Sequence, residues 1–163
     1  MGVEKVTQVT QTKPLREQLG YAGDLLYGQY TYGIAGERFF REIKDNGKLM
    51  GTRCNKCDLT YLPPRIYCER CFSELEDWVE VSSKGSVHTY TLAYVDLDGL
   101  RLDEPLILAL VKFDGIYGGL VHRLGEVKPE EVGIGMPVEI VLKLKAERVG
   151  SILDIKYFKP CRK

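Results

Sequence analysis

Net charge is the first thing this 163-residue sequence lacks: Lys plus Arg equals Asp plus Glu, at 23 each. A balanced chain advertises neither nucleic acid nor a membrane surface as its partner, although it leaves room for a local basic patch. Histidine is scarce as well, with only His88 and His122. Both sit in runs of alternating apolar residues, where a satisfied structural imidazole is the commoner explanation. No apolar run approaches the length that spans a bilayer, and the N-terminus has no signal-peptide core. Met1-Gly2 opens like a myristoylation signal, but Val6 stands where Ser or Thr is needed. There are no internal repeats. Together these absences predict a cytoplasmic protein with one compact domain and a small appendage, in a compartment that keeps thiols reduced.

A catalytic constellation is also missing. A hydrolase or acyltransferase needs a nucleophile, a base and an orienting group. Neither histidine lies in a nucleophile motif, and Cys161 follows a proline near the chain end. Asp96/Asp98 and Asp103/Glu104 flank a turn and read as loop solubility. Gly118-Gly119 lacks the strand-to-helix context of a phosphate loop. The expectation is a protein that is not an enzyme.

What the chain does have is cysteine in one pattern. Cys54-Asn55-Lys56-Cys57 is followed ten residues later by Cys68-Glu69-Arg70-Cys71. Each Cys-x-x-Cys knuckle places two thiolates on one side of a tight turn, and two knuckles close a tetrahedral sulfur cage. Four sulfurs fill every position and leave none for water or substrate, so the spacing predicts a structural zinc ion that folds a segment too small to hold itself together. Iron in the same cage is the minority alternative. Cys161 reads as a bystander thiol.

Around this cluster the organisation changes. Residues 1–12 are polar and aperiodic, predicting a mobile tail. Pro14 opens a short predicted helix carrying Leu15 and Leu19. From Gly20 to Gly36, Tyr21, Tyr27, Tyr30 and Tyr32 are interleaved with five glycines. Tyrosines on such a backbone suit docking against a partner surface, or equally an arm wrapped over the chain's own domain. Glu37 to Asp45 reads as a helix with Phe39, Phe40 and Ile43 on one stripe, stopped by Asn46-Gly47. Beyond the cysteines the pattern is β: Trp78–Val81, Ser86–Val95, Leu106–Phe113, Tyr117–Leu124, Val138–Lys145 and Ile152–Phe158. Leu153, Ile155 and Tyr157 alternate with Asp154 and Lys156, while Leu106 to Val111 is apolar on both faces and should be central and covered. About five strands with one helical turn at 128–132 favour a small barrel such as the OB-fold, with a sandwich competing. The predicted organisation is an arm over 1–36, a helix over 37–50, a metal ribbon over 51–76 and a β domain over 77–163.

The ordered string Asn46-Gly47-Lys48-Leu49, Arg53-Cys54-x-x-Cys57, Tyr61-x-Pro63-Pro64-Arg65, Cys68-x-x-Cys71, Trp78-Val79-Glu80-Val81 and Gly85 to Thr91 resembles a known family. It looks like the thiolase-associated proteins that join a rubredoxin-like zinc ribbon to a C-terminal OB-fold barrel, over about residues 37 to 160. The resemblance implies a non-catalytic scaffold. The archaeal members are similar to a subunit joining acetoacetyl-CoA thiolase to HMG-CoA synthase in the mevalonate pathway, and would help hold or channel acyl-CoA. Such a scaffold should offer cations to CoA phosphates. Lys48, Arg53, Lys56, Arg65 and Arg70 cluster in sequence around the ribbon and are the candidates, against the plainer reading that ribbon tips are solvated. The competing function is a module that binds single-stranded nucleic acid, since ribbons and OB-folds both do so.

Overall fold

A computed structural model describes residues 16–18 and 29–161. The tail over 1–12, Tyr21 and Tyr27 lie outside the described residues. Strand β1 (Arg16–Gln18) pairs antiparallel with β2 (Gln29–Thr31). This corrects the helix expected from Pro14: Arg16 to Gln18 are extended, and the ladder with β2 supplies their backbone hydrogen bonds. Tyr30 belongs to β2.

Helix α1 (Gly33–Asn46) buries Ala35, Phe39 and Ile43, one residue per turn on a single stripe. It opens at Gly33 and not at Glu37. Tyr32 folds back onto Phe40 with ring centroids 4.5 Å apart, and the missing side chain of Gly36 makes room for it. The helix stops where the sequence says. Gly47 is left-handed at φ 68°, its amide donates to Ile43 O at 3.1 Å, and the Lys48 amide donates to Glu42 O at 3.3 Å.

The ribbon follows. Strand β3 (Leu49–Cys54) is flanked by β4 (Leu59–Leu62) and β5 (Asp77–Val81), both antiparallel to it. Arg38 on α1 stacks over Trp78 on β5 at 4.3 Å, clamping the helix to the ribbon.

The barrel is built from β6 (Lys84–Val95), β7 (Arg101–Lys112), β9 (Leu120–Arg123), β10 (Pro137–Leu142) and β11 (Ile155–Pro160), in the order β11-β10-β6-β7-β9. A parallel bridge from Leu124 to Phe158 and a hydrogen bond from the Gly125 amide to Phe158 O (2.9 Å) bring the two outer strands together and close the ring. That closure is the OB-fold expected, and a single 3-10 turn at Pro129–Glu131 precedes β10.

The expected strand Tyr117–Leu124 is two strands. Short β8 (Ile116–Gly118) runs parallel to β4 in the ribbon sheet, whereas β9 pairs with β7 in the barrel. The break falls at Gly118-Gly119. Gly118 has φ 105° and lies against Leu62 O, so closely that a Cβ would collide with it; a Cβ on Gly119 would sit 2.5 Å from Val111 O. The glycine pair is therefore the junction where the chain leaves one sheet for the other. Ribbon and barrel share one core, in which Phe39, Ile43, Leu62 and Val81 meet Val87, Val111, Val138 and Phe158.

Two further expectations change. The strand over 152–158 begins only at Ile155; Ile152–Asp154 is a 3-10 turn. Asp154 is fully buried, not outward, because its carboxylate accepts the amides of Val149 (2.9 Å), Gly150 (2.7 Å) and Ser151 (3.3 Å). Leu153 is left exposed. On β7, Ile107, Ala109 and Val111 are buried, but Leu106, Leu108 and Leu110 are only partly covered. The outer face of that strand lines a groove of about 400 Å³ with Val121, Ile152 and Leu153. Strand β10 ends at Leu142, short of the expected Lys145.

Candidate metal centre

Cys54 ends β3, and the turn after it carries Cys57 back toward β4, where Leu59 pairs with Cys54. The second knuckle is a small hairpin held by the bridge Tyr67 to Glu74, with the Cys68 amide donating to Ser73 O (2.9 Å) and the Phe72 amide to Cys68 O (2.9 Å). Each knuckle needs a left-handed residue directly after its second cysteine. Asp58 (φ 53°) and Phe72 (φ 54°) occupy those positions.

The four thiol sulfurs all lie within 4.8 Å of one another. Cys54 and Cys71 approach to 3.5 Å, and Cys57 and Cys68 to 3.9 Å. A zinc ion about 2.3 Å from each of four sulfurs requires S···S separations of about 3.8 Å, so the cage fits a tetrahedral ion. None of the four is in a disulfide. Cys54 and Cys68 are buried, in a satellite cluster with Tyr61 and Leu75.

Donors aimed at the sulfurs favour negative charge in the cage. The buried Tyr61 hydroxyl lies 3.2 Å from Cys68 Sγ. That hydrogen bond brings the Cys68 thiol down to about 6 and pushes the Tyr61 phenol up to about 12. Ser73 Oγ, 3.4 Å from Cys71 Sγ, lowers the Cys71 thiol together with the Ser73 amide. Cys57 is pushed up to about 12, chiefly by its hydrogen bond to Cys71 and then by desolvation. Thr52, fully buried on β3, donates its hydroxyl to Arg65 O (3.0 Å) and accepts the Arg65 amide (2.9 Å), fixing the loop that leads into the second knuckle. The Cys-x-x-Cys spacing singled out the four cysteines that the structure gathers, but not the supporting roles of Tyr61, Ser73 or Thr52. Their only signal was a polar residue facing inward beside a knuckle.

The candidate CoA cations do not converge on one place. Lys48 pairs with Glu80 at 2.6 Å beside one cleft; Arg53, paired with Asp58, shares another with Lys56. Arg65 pairs with Glu69 and lies 5.1 Å above the Tyr61 ring, and Arg70 lies 5.8 Å above Tyr117. Tyr32 packs on Phe40. His88 and His122 lie on different barrel strands, β6 and β9. Among the described residues no helix is long and apolar enough to cross a membrane.

Comparison with known proteins agrees with this architecture. Residues 41–76 match the model of the ChsH2 rubredoxin-like zinc ribbon domain, and residues 78–143 that of the ChsH2 C-terminal OB-fold domain. The chain is similar to a DUF35 domain-containing scaffold protein of Methanocaldococcus jannaschii, 33% identical over 126 residues that span 76% of this chain and 89% of that one. In structure it resembles a DUF35-family protein of unknown function from Sulfolobus solfataricus, with a TM-score of 0.62 and 31% identity over 79% of this chain and 87% of that one. It also resembles a chain of the Ltp2-ChsH2(DUF35) aldolase, with a TM-score of 0.59 and 27% identity over 76% of this chain and 91% of that one.

Proposed function

This chain belongs to the DUF35 family of paired zinc-ribbon and OB-fold proteins, and from that membership we propose that it is a non-catalytic scaffold subunit holding thiolase-fold enzymes together. Its partners in this reading are enzymes of the acetoacetyl-CoA thiolase and HMG-CoA synthase type, and its service is to keep acyl-CoA intermediates within the assembly. The relatives named as scaffold proteins and the neighbour that pairs a DUF35 chain with an aldolase support it.

The observation that carries the proposal is the closed cage. Cys54, Cys57, Cys68 and Cys71 would together hold one zinc ion, whose chemistry is to cross-link the ribbon and not to activate a substrate, because four sulfurs complete a tetrahedral shell. A ribbon stiffened in this way, and stitched to the barrel by β8, is suited to present surfaces to other subunits. Lys56 and Arg70 are the cations at the ribbon without a carboxylate partner among the described ion pairs, and they are the ones proposed to meet CoA phosphates.

The test is native mass spectrometry of the chain co-expressed with the host's thiolase and HMG-CoA synthase, combined with metal analysis. One zinc per chain and a complex containing both enzymes are expected. A metal-free chain, or a lone chain beside unbound enzymes, overturns the proposal.

A further inference from the structure

Strands β6 and β7 outrun the barrel they belong to. They pair with each other from Ser86–Lys112 out to Val95–Arg101, yet β10 accompanies β6 only at Lys84–Ser86 and β9 accompanies β7 only at Leu108–Val111. Beyond Ile107, whose carbonyl accepts the Leu124 amide at 2.9 Å, no further strand flanks the pair on either edge among the described residues, although Tyr94 and Glu104–Ile107 share a cleft with residues 124–130. A two-stranded ribbon gains little stability by itself in water.

Its tip is a hydrogen-bonded turn that exposes apolar side chains among carboxylates. Asp96 Oδ1 accepts the amides of Asp98 (3.0 Å) and Leu100 (2.8 Å), the Asp96 amide donates to Leu100 O (2.9 Å), and Gly99 turns at φ 79°. This pinned turn holds Leu97 entirely in solvent, at 106% relative exposure, and Leu100 at 66%. Behind them Tyr94 and Val95 are also exposed. Folding gains nothing from Leu97 in water and only part of the burial that Leu100, Tyr94 and Val95 could give, whereas such a cluster is what an interface buries at its centre.

We propose that the β6–β7 hairpin is the docking finger by which this chain engages a thiolase-fold partner, its two leucines entering an apolar recess rimmed by basic side chains. The proposal rests on the scaffold reading above and names the surface that serves it. Charge selects the occupant. Between Asp96 and Glu104 the finger carries four carboxylates against one guanidinium, Arg101, and Asp98, Asp103 and Glu104 have no ion pair among the described residues. Acid at the tip attracts a basic rim and repels both the phosphates of a nucleic acid strand and a second copy of the same tip. This matters because the corresponding loop is where OB-folds bind oligonucleotides.

The test uses the full chain and the host's acetoacetyl-CoA thiolase in an interferometric binding assay at low and high salt. In Leu97→Ser/Leu100→Ser both changed side chains are solvent-exposed, so the melting temperature should match wild type while affinity falls about 100-fold, mostly through faster dissociation. Asp98→Lys/Asp103→Lys should slow association about 10-fold and remove its salt dependence. If wild type binds the thiolase and both variants bind equally well, the finger is wrong while the scaffold reading stands. If wild type does not bind, the reading beneath it fails. A dimer or an oligonucleotide complex that is lost in the leucine variant also overturns the finger, by giving the tip a different occupant.

Discussion

At the scale of single residues, the side chains around the sulfur cage decide its behaviour. Tyr61 holds the Cys68 thiol at about 6 by hydrogen bonding, so that sulfur is mostly ionised at neutral pH, where an ordinary thiol is mostly protonated. Protons and metal compete for the same lone pair. Tyr61→Phe removes the donor, the Cys68 thiol rises toward its ordinary value, and the ion should be released at a higher pH than in wild type. A chromophoric chelator in an acid titration reads this directly. Phe72 poses the opposite question. It sits at φ 54°, a conformation that costs a bulky residue about 1–2 kcal/mol, and yet it is 79% exposed and gains little by burial. Phe72→Gly relieves the strain at some cost in chain entropy, so the metal-loaded protein should be unchanged or up to about 1 kcal/mol more stable in denaturant unfolding. Both knuckles were legible from Cys-x-x-Cys spacing alone, because two cysteines in one tight turn are a local property. The donors behind them were not, since Tyr61 reaches Cys68 only after β4 has paired with β3.

At the scale of elements, β8 and β9 are where sequence pattern and structure part. Tyr117 to Leu124 reads as one β run, and only the approach of Leu62 O to Gly118 shows why it must break. Gly118→Ala places a methyl against that carbonyl in a backbone conformation that alanine rarely adopts. Stability should fall by at least about 2 kcal/mol, measured by thermal or denaturant melting. Asp154 makes the same point for β11: alternation puts it outward, but three loop amides draw it fully inside. On β9, burial holds the His122 imidazole below its ordinary value, and its Nδ1 is buried without a hydrogen-bond partner among the described residues. As pH falls through about 6.5 the unfolded chain takes up a proton that the folded chain refuses, so stability declines and levels off below the folded-state value. His122→Gln removes that component. Its melting temperature should change less than that of wild type between about pH 7.5 and about pH 5.5.

At the scale of the whole molecule, ribbon and barrel are joined by a shared core and by β8, which leaves the barrel strands to complete the ribbon sheet. Arg148, from the loop after β10, donates to Ile43 O at 3.2 Å and Lys143 O at 2.8 Å, tying the end of α1 to the barrel as well. Removal of the ion should therefore not remain local. Chelation is expected to raise hydrogen exchange across β3 and β4, and also at Ile116–Gly118, because β8 loses its partner strand. The strands β10 and β11, which take their ladder hydrogen bonds from each other and from β6 and from no ribbon strand, should keep their protection. Protection retained throughout the ribbon after complete metal removal would contradict a structural role for the ion.

Legible in the sequence alone were the pairing of four cysteines in two knuckles, the stop of α1 at Gly47 and the run of β strands. Each depends on spacing within a few residues or on the period of one element. It took the tertiary structure to show that Gly118-Gly119 joins two sheets, that Asp154 is buried, that the candidate cations do not all gather in one place and that β6 and β7 project beyond the barrel. Those features arise from backbone groups far apart in the chain meeting at a few ångströms, and such meetings leave no period in the sequence to read.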